Sequence, residues 1–221
     1  SFSIISDIKV EGGDHGHSHG EEESETPKDK FFEEHKSIVN KLYLNFKKDD
    51  LTIYAGKFSP SVGLDFHLFP GAYGYQEPEG YSLLQKIGGG FQIMKDLGDA
   101  GTHKFNASTF YADTTPLSHS RINNDGRKKK SEGGVSNTED FSSFAISLEG
   151  KDFFSLDNNF IDGFRYKLGY AKQAKGTGGE ADEKRMSIGL MHTSYLSEDL
   201  KLTLIGEYMD IEKLGGEKGH D

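Results

Sequence analysis

The chain has 221 residues, 33% of them hydrophobic, with 26 lysines and arginines against 36 aspartates and glutamates and a formal charge of −10. That acidic balance argues against nucleic acid as a partner, and the absence of cysteine excludes disulfides and thiolate chemistry. No apolar run approaches the ~18 residues of a membrane helix. A mean hydropathy of −0.65 still permits a membrane β-barrel, because half of each barrel strand faces water and the loops are polar.

Side chains of a strand point alternately to two faces, so a half-greasy strand shows period two. Residues 1–11 begin this way, with Phe2, Ile4, Ile8 and Val10 against Ser3, Asp7 and Lys9. Over 38–48, Leu42, Leu44 and Phe46 alternate with Lys41, Tyr43, Asn45 and Lys47. Strands over 51–61 and 88–97 alternate less cleanly; the second opens on Gly88-Gly89-Gly90, read as a close-contact point in a strand. In 101–114, Phe105, Ala107, Thr109 and Tyr111 alternate with Lys104, Asn106 and Ser108. In 141–151, Phe144, Ile146 and Leu148 oppose Ser143, Ala145, Ser147 and Glu149. In 163–173, Phe164, Tyr166, Leu168 and Tyr170 oppose Arg165, Lys167, Gly169 and Ala171. Strands over 185–196 and 200–212 complete nine, the last with Leu200, Leu202, Leu204 and Tyr208 on one face and Lys201, Thr203, Ile205 and Glu207 on the other. A membrane strand needs about 9–11 residues, against a mean of about 5–6 in soluble proteins.

The links alternate in length. Lys48-Asp49-Asp50, Gly98-Asp99-Ala100 and Ser197-Glu198-Asp199 are tight polar turns, and 12–37, 62–87, 115–140 and 174–184 are long polar links. The link from Asp152 to Asp162 is expected to extend its strands around a turn at Leu156-Asp157-Asn158-Asn159. All five prolines fall in loops or at strand ends, where a missing N–H harms no ladder. The expected fold is therefore all-β: an antiparallel transmembrane β-barrel, a meander of long strands with short periplasmic turns and long external loops. It reads as one domain, 1–221, with an acidic His-rich external loop at 12–37. Nine is an odd number, so the expectation is a partial barrel or a piece of a larger one. Phe46, Tyr111, Phe164, Tyr170 and Tyr208 are candidates for interfacial aromatic girdles.

Several segments taken together resemble porins of Gram-negative, alphaproteobacterial-type bacteria. They are YAGKFSP (54–60), FPGAYG (69–74), ASTFYADTTPLS (107–118), GGVSNTED (133–140), FAISLEG (144–150) and YKLGYAKQ (166–173). The Gly-Lys-Phe-x-Pro strand end is also similar to phosphate-selective porins. The resemblance spans most of 38–212. It implies an outer-membrane channel in contact with lipid and lipopolysaccharide, trimeric as porins commonly are, with no catalytic residues.

Three constellations carry possible chemistry. His15, His17 and His19 alternate in the first long loop beside Glu21, Glu22 and Glu23, with His35 further on. Imidazoles so placed suit Zn²⁺, Ni²⁺ or Cu²⁺; the bland reading is a solvated low-complexity loop. On the wet faces, Lys41, Lys47, Lys104, Arg165, Lys167 and Lys201 outnumber Asp7, Glu149 and Glu207. If those faces line a lumen, the wall favours anions; the plain alternative is salt bridging across strands. Arg127-Lys128-Lys129-Lys130 offers a cationic run for lipid phosphates, the acidic first loop, a neighbouring subunit or an inward constriction, or else a solvated loop. His192 with Ser194 lacks an acidic third member placed by sequence, so no hydrolase is expected. The expected function is passive diffusion of small hydrophilic solutes or ions, biased toward anions. The alternative is a soluble or cell-surface β-sandwich that sequesters metal through its histidine loop.

Overall fold

The computed structural model describes residues 1–11, 36–70, 80–118, 128–154 and 159–217. Nine strands form a single antiparallel sheet in sequence order. They are β1 (Phe2–Glu11), β2 (Lys36–Lys48), β3 (Leu51–Phe58), β4 (Lys86–Asp96), β5 (Thr102–Ala112), β6 (Ser143–Lys151), β7 (Phe164–Gln173), β8 (Glu183–Tyr195) and β9 (Lys201–Glu212). The sheet is not closed: β1 pairs only with β2, and β9 only with β8. Both edges run in the same direction, since each strand reverses the one before it. None of the described helices is long and apolar enough to cross a membrane, which says nothing of crossing by strands.

The expected strands appear with ends moved by a few residues. Two shifts have a clear cause. β3 stops at Phe58 rather than continuing to 61, because the chain turns away at Ser59 and Pro60 to pack on the sheet. The link after β6 does not extend its strands. β6 ends at Lys151, β7 starts at Phe164, and a single helical turn, α1 (Asn159–Asp162), precedes it. The proposed turn at 156–159 lies mostly outside the described residues.

The pairing register sorts side chains into two faces. On the outer face, Leu51, Ile93, Phe105, Leu148, Leu168, Ile188 and Tyr208 form one unbroken row across β3 to β9. Each of them is at least one-third exposed. A second row joins Phe46, Ile53, Phe91, Ala107, Ile146 and Tyr170. Aromatic pairs gather at both ends of this face. Phe2 and Phe46 (4.6 Å between centroids) and Phe153 with Phe164 and Tyr166 stand toward the short-turn end, while Phe91 and Phe105 (6.1 Å) pair near mid-strand. Tyr111 with Phe141 (5.8 Å) and Phe144 with Tyr170 (6.0 Å) stand toward the long-loop end. Phe164 and Tyr170 are six residues apart on β7, about 20 Å at ~3.3 Å per residue.

The inner face holds the only packed core among the described residues. Phe58, Val62, Leu83, Phe110, Ala145 and Ala171 are buried there, with Tyr43, Tyr54 and Met209 against them. Val62 and Leu83 come from the link between β3 and β4, so this core consists of a loop laid on a sheet. A register shift in the β1–β2 pair skips Asn40: Asp7 opposes Lys41 and Ile8 opposes Val39. Such a bulge re-aims side chains locally and brings both Asn40 and Lys41 to the inner side.

Candidate functional site: a loop-lined cavity on the inner face

The β3–β4 link runs inward. Its two described legs, 59–70 and 80–85, lie on the inner face of β6 to β9. Ser187 Oγ donates to the Val62 carbonyl (2.9 Å), and Ser147 Oγ donates to Ser61 Oγ (3.1 Å). Two glycines make the seat. A Cβ on Gly169 would fall on the Val62 carbonyl oxygen, and one on Gly189 would sit 2.5 Å from Leu64 Cγ. Both occupy inner-face positions where their strands otherwise carry Lys167, Ala171, Arg185 and Ser187, so the sheet leaves two side chains out where the loop comes in.

Glu207 of β9 ties both legs. The Leu64 N–H donates to its Oε1 (2.6 Å) and the Tyr81 hydroxyl to its Oε2 (2.5 Å). Hydrogen bonds to a charged acceptor contribute about 1.5–3 kcal/mol each, roughly twice the neutral kind. Arg185 adds a third tie through the Tyr81 carbonyl and is itself held by Glu183, with Nε 2.6 Å from Oε1. Glu183 also accepts from Gln173 Nε2 (2.5 Å) and the Gly215 N–H (2.8 Å), which anchors the chain after β9 over the same end.

The loop leaves space on either side. Toward the short turns lies a cavity of about 1070 Å³. Residues of β1, β2, β5, β6, β7 and β8 line it together, so the sheet curls around it. Its cations are Lys9, Lys41, Lys104, Arg165 and Lys167; its carboxylates are Asp7, Asp65 and Glu149. Five positive groups against three negative leave an excess of two, before His67 is counted. Glu149 is committed to Lys104 (2.7 Å) and Arg165 (3.6 Å). Lys167, 8% exposed, has no carboxylate within ion-pair distance among the described residues. Asp65 sits on the loop with its Oδ1 2.8 Å from His67 Nδ1. Burial acts to raise this carboxyl, but hydrogen bonds from the His67 ring and backbone N–H outweigh it and hold Asp65 below the usual carboxylate range. Toward the long loops lies a second pocket, about 450 Å³, lined by Lys86, Lys128 and Arg185 with the return leg of the loop.

The wet-face charges expected to share a lumen divide into three groups. Lys41, Lys104, Glu149, Arg165 and Lys167 meet in the larger cavity. Glu207 is on the inner face but is taken up by the loop. Lys201 is exposed at the turn end of the edge strand β9, and Lys47 is exposed on β2, both outside the cavity. Of the basic run after β5, Lys128 lines the smaller pocket toward the long loops and Lys130 pairs with Glu139 (3.3 Å); Arg127 lies outside the described residues. His15, His17 and His19, with the rest of the expected loop up to residue 35, also lie outside them, while Lys36 and Ser37 belong to β2. Among the described residues no group of three or more His, Asp or Glu side chains is placed to hold a metal ion. His192 and Ser194 touch, Nδ1 to Oγ 3.3 Å, on the outer face away from both cavities.

One buried ion pair and one buried lysine hydrogen bond brace the long-loop end. Lys57 and Asp113 meet at 2.8 Å with side chains 0% and 4% exposed, and Lys57 also donates to the Leu117 carbonyl (2.7 Å). Lys86 donates to Ser136 Oγ (3.0 Å), while the Ser136 backbone bonds to Ala112 and Ala174. These contacts fold the β5–β6 link inward beside the β3–β4 loop. Sequence reasoning missed the inward loop. Its local signals were Gly169 and Gly189 standing at polar-face positions and the apolar Val62, Leu64 and Leu83 within a link read as polar. No protein-family model matches this chain, and no curated protein or solved structure shows significant similarity to it.

Proposed function

We propose that this sheet is wall from an outer-membrane β-barrel, porin-like, that passes small hydrophilic solutes or ions by diffusion with a bias toward anions. The observation that carries this reading is the opposition of the two faces. One face exposes large apolar side chains across all nine strands, and the other curls around a charged cavity of about 1070 Å³ narrowed by its own loop. Leaving such an outer face in water forfeits about 25 cal/mol for every Å² of apolar area that lipid would cover. The aromatic pairs at its two ends stand where a bilayer presents its interfaces. A sandwich-type binding module needs a second sheet over this face, and among the described residues nothing covers it.

Antiparallel closure fits the same reading. Because β1 and β9 run in the same direction, joining them without a parallel pair takes an odd number of further strands. In a bilayer every unpaired edge group costs several kcal/mol, so open edges do not persist there.

The mechanism needs no moving part. Solutes enter from the long-loop end, meet the loop seated on Gly169 and Gly189, and pass the cluster of Lys41, Lys104, Arg165 and Lys167. An excess of positive charge on a low-dielectric wall raises the local concentration of anions. The test is the reversal potential of the full protein in a planar bilayer under a salt gradient. The expected sign is that of an anion-preferring pore. Lys41→Glu with Lys167→Glu turns the cavity's excess of two positive charges into two negative and is expected to reverse the sign. An impermeable protein, or a cation preference in the unmodified pore, contradicts the proposal.

A further inference from the structure

We infer that Glu207 sets the aperture of this channel by latching the inward loop, and that it is not a charge met by passing ions. The inference rests on the channel reading above and assigns Glu207 as a positioning residue within it. Three observations point the same way. First, both carboxylate oxygens are spent on the loop, one on each described leg, through the Leu64 N–H and the Tyr81 hydroxyl. Those legs are 17 residues apart in sequence, counted from Leu64 to Tyr81, so a single side chain fixes the spacing between them. Second, Glu207 does not line the larger cavity, although its row-mates on neighbouring strands, Lys104, Glu149 and Lys167, all do. The loop stands between it and the open space: an oxygen of its carboxylate lies 2.7 Å from where a Gly63 side chain would begin. Third, the seat is shaped for this one loop. The Val62 carbonyl and the Leu64 side chain occupy the places that side chains at 169 and 189 would fill.

Of the remaining ties, Ser187 and Ser147 offer only neutral hydroxyls to Val62 and Ser61, and Arg185 holds only the return leg, through the Tyr81 carbonyl. Removing Glu207 therefore leaves the first leg, 59–70, resting in its glycine seat without a charged anchor. The loop then samples positions away from β8 and β9, and the passage beside it widens. Tyr81→Phe removes one of the two ties without introducing a cavity or a charge.

Two measurements on the full protein test this together. In planar bilayers, Glu207→Ala is expected to raise single-channel conductance and open-channel noise, with Tyr81→Phe smaller in the same direction. In the same membranes, a cysteine at Val62, the chain's only thiol, reports the loop through its rate of reaction with a hydrophilic maleimide. Glu207→Ala is expected to speed this reaction by at least about tenfold, as when a local opening equilibrium loses two hydrogen bonds to one carboxylate. A cysteine at Ala145, buried in the sheet beneath the loop, is expected to keep its slow rate. Unchanged labelling at Val62 overturns the inference. So does equal acceleration at Ala145, which makes Glu207 a general stabiliser of the sheet. If the unmodified protein does not conduct, the channel reading fails, and the labelling pair still decides whether Glu207 holds the loop.

Discussion

Strands β1 and β8 carry the same alternating pattern and have opposite surroundings. In β8 every second residue from Glu183 to Met191 is buried and every residue between them is exposed. In β1 the side chains from Phe2 to Val10 are exposed on both faces. The difference comes from cover. The legs of the β3–β4 loop lie on β8, whereas Asp7 and Lys9 of β1 look into the open cavity. Alternation fixes which face a side chain points to, and a loop from elsewhere in the chain fixes whether that face is packed or wet.

The largest effect is expected where cover is complete. Asp113→Ala strips the partner from Lys57, whose side chain is fully buried, and a lone buried charge costs about 3–5 kcal/mol. Urea unfolding of the protein in lipid vesicles measures it. Replacing both partners, Lys57→Met with Asp113→Leu, is expected to recover most of that loss. By contrast, the exposed Lys95–Asp50 pair at the turn end is expected to be removable within the scatter of the same measurement.

The outer and inner faces separate next. Ile188→Arg places a charge in mid-face among Leu168 and Tyr208, and a charge facing lipid at mid-depth costs about 2–4 kcal/mol. Ile5→Arg, which shares the inner face with Tyr43, is expected to be tolerated. Equal penalties at the two sites break the assignment of faces. Gly169→Ala is expected to cost about 1–3 kcal/mol, because the new methyl meets the Val62 carbonyl and overpacks the seat.

The smallest effect concerns Asp182 in the β7–β8 link. Hydrogen bonds from Lys172 (2.9 Å between charged groups) and from the Lys175 N–H hold its carboxyl below the usual range. A carboxyl depressed by folding contributes stability above its unfolded value, near pH ~4, and loses it as pH falls through the lowered folded value. Acid unfolding of Asp182→Asn is therefore expected to begin slightly less steeply than that of the unmodified chain.

The strands were legible because each carries its own evidence: Phe144, Ile146 and Leu148 declare a face without reference to any other segment. The same local logic gathered Lys104, Glu149, Arg165 and Lys167, which needed only correct facing and adjacent strands to meet; Lys41, three strands away on β2, joins them because the sheet curls. It failed where a role depends on a distant loop. Glu207 is indistinguishable from Glu149 by period and neighbours, yet one faces a cavity and the other holds Leu64 and Tyr81. The link at 152–162 failed for a related reason. Its aromatic residues suggested strand, but Phe153 packs across Tyr166 and Phe164 from outside the ladder.

The central claim is that one face of this sheet meets lipid and the other water. A cysteine scan of β6 from Phe144 to Glu149, with a polarity-sensitive fluorophore on each thiol and a quencher confined to acyl chains, tests it most directly. The account predicts strong quenching at Phe144, Ile146 and Leu148 and little at Ala145, Ser147 and Glu149. Quenching at neither set, with the protein stable in water without detergent, would contradict it.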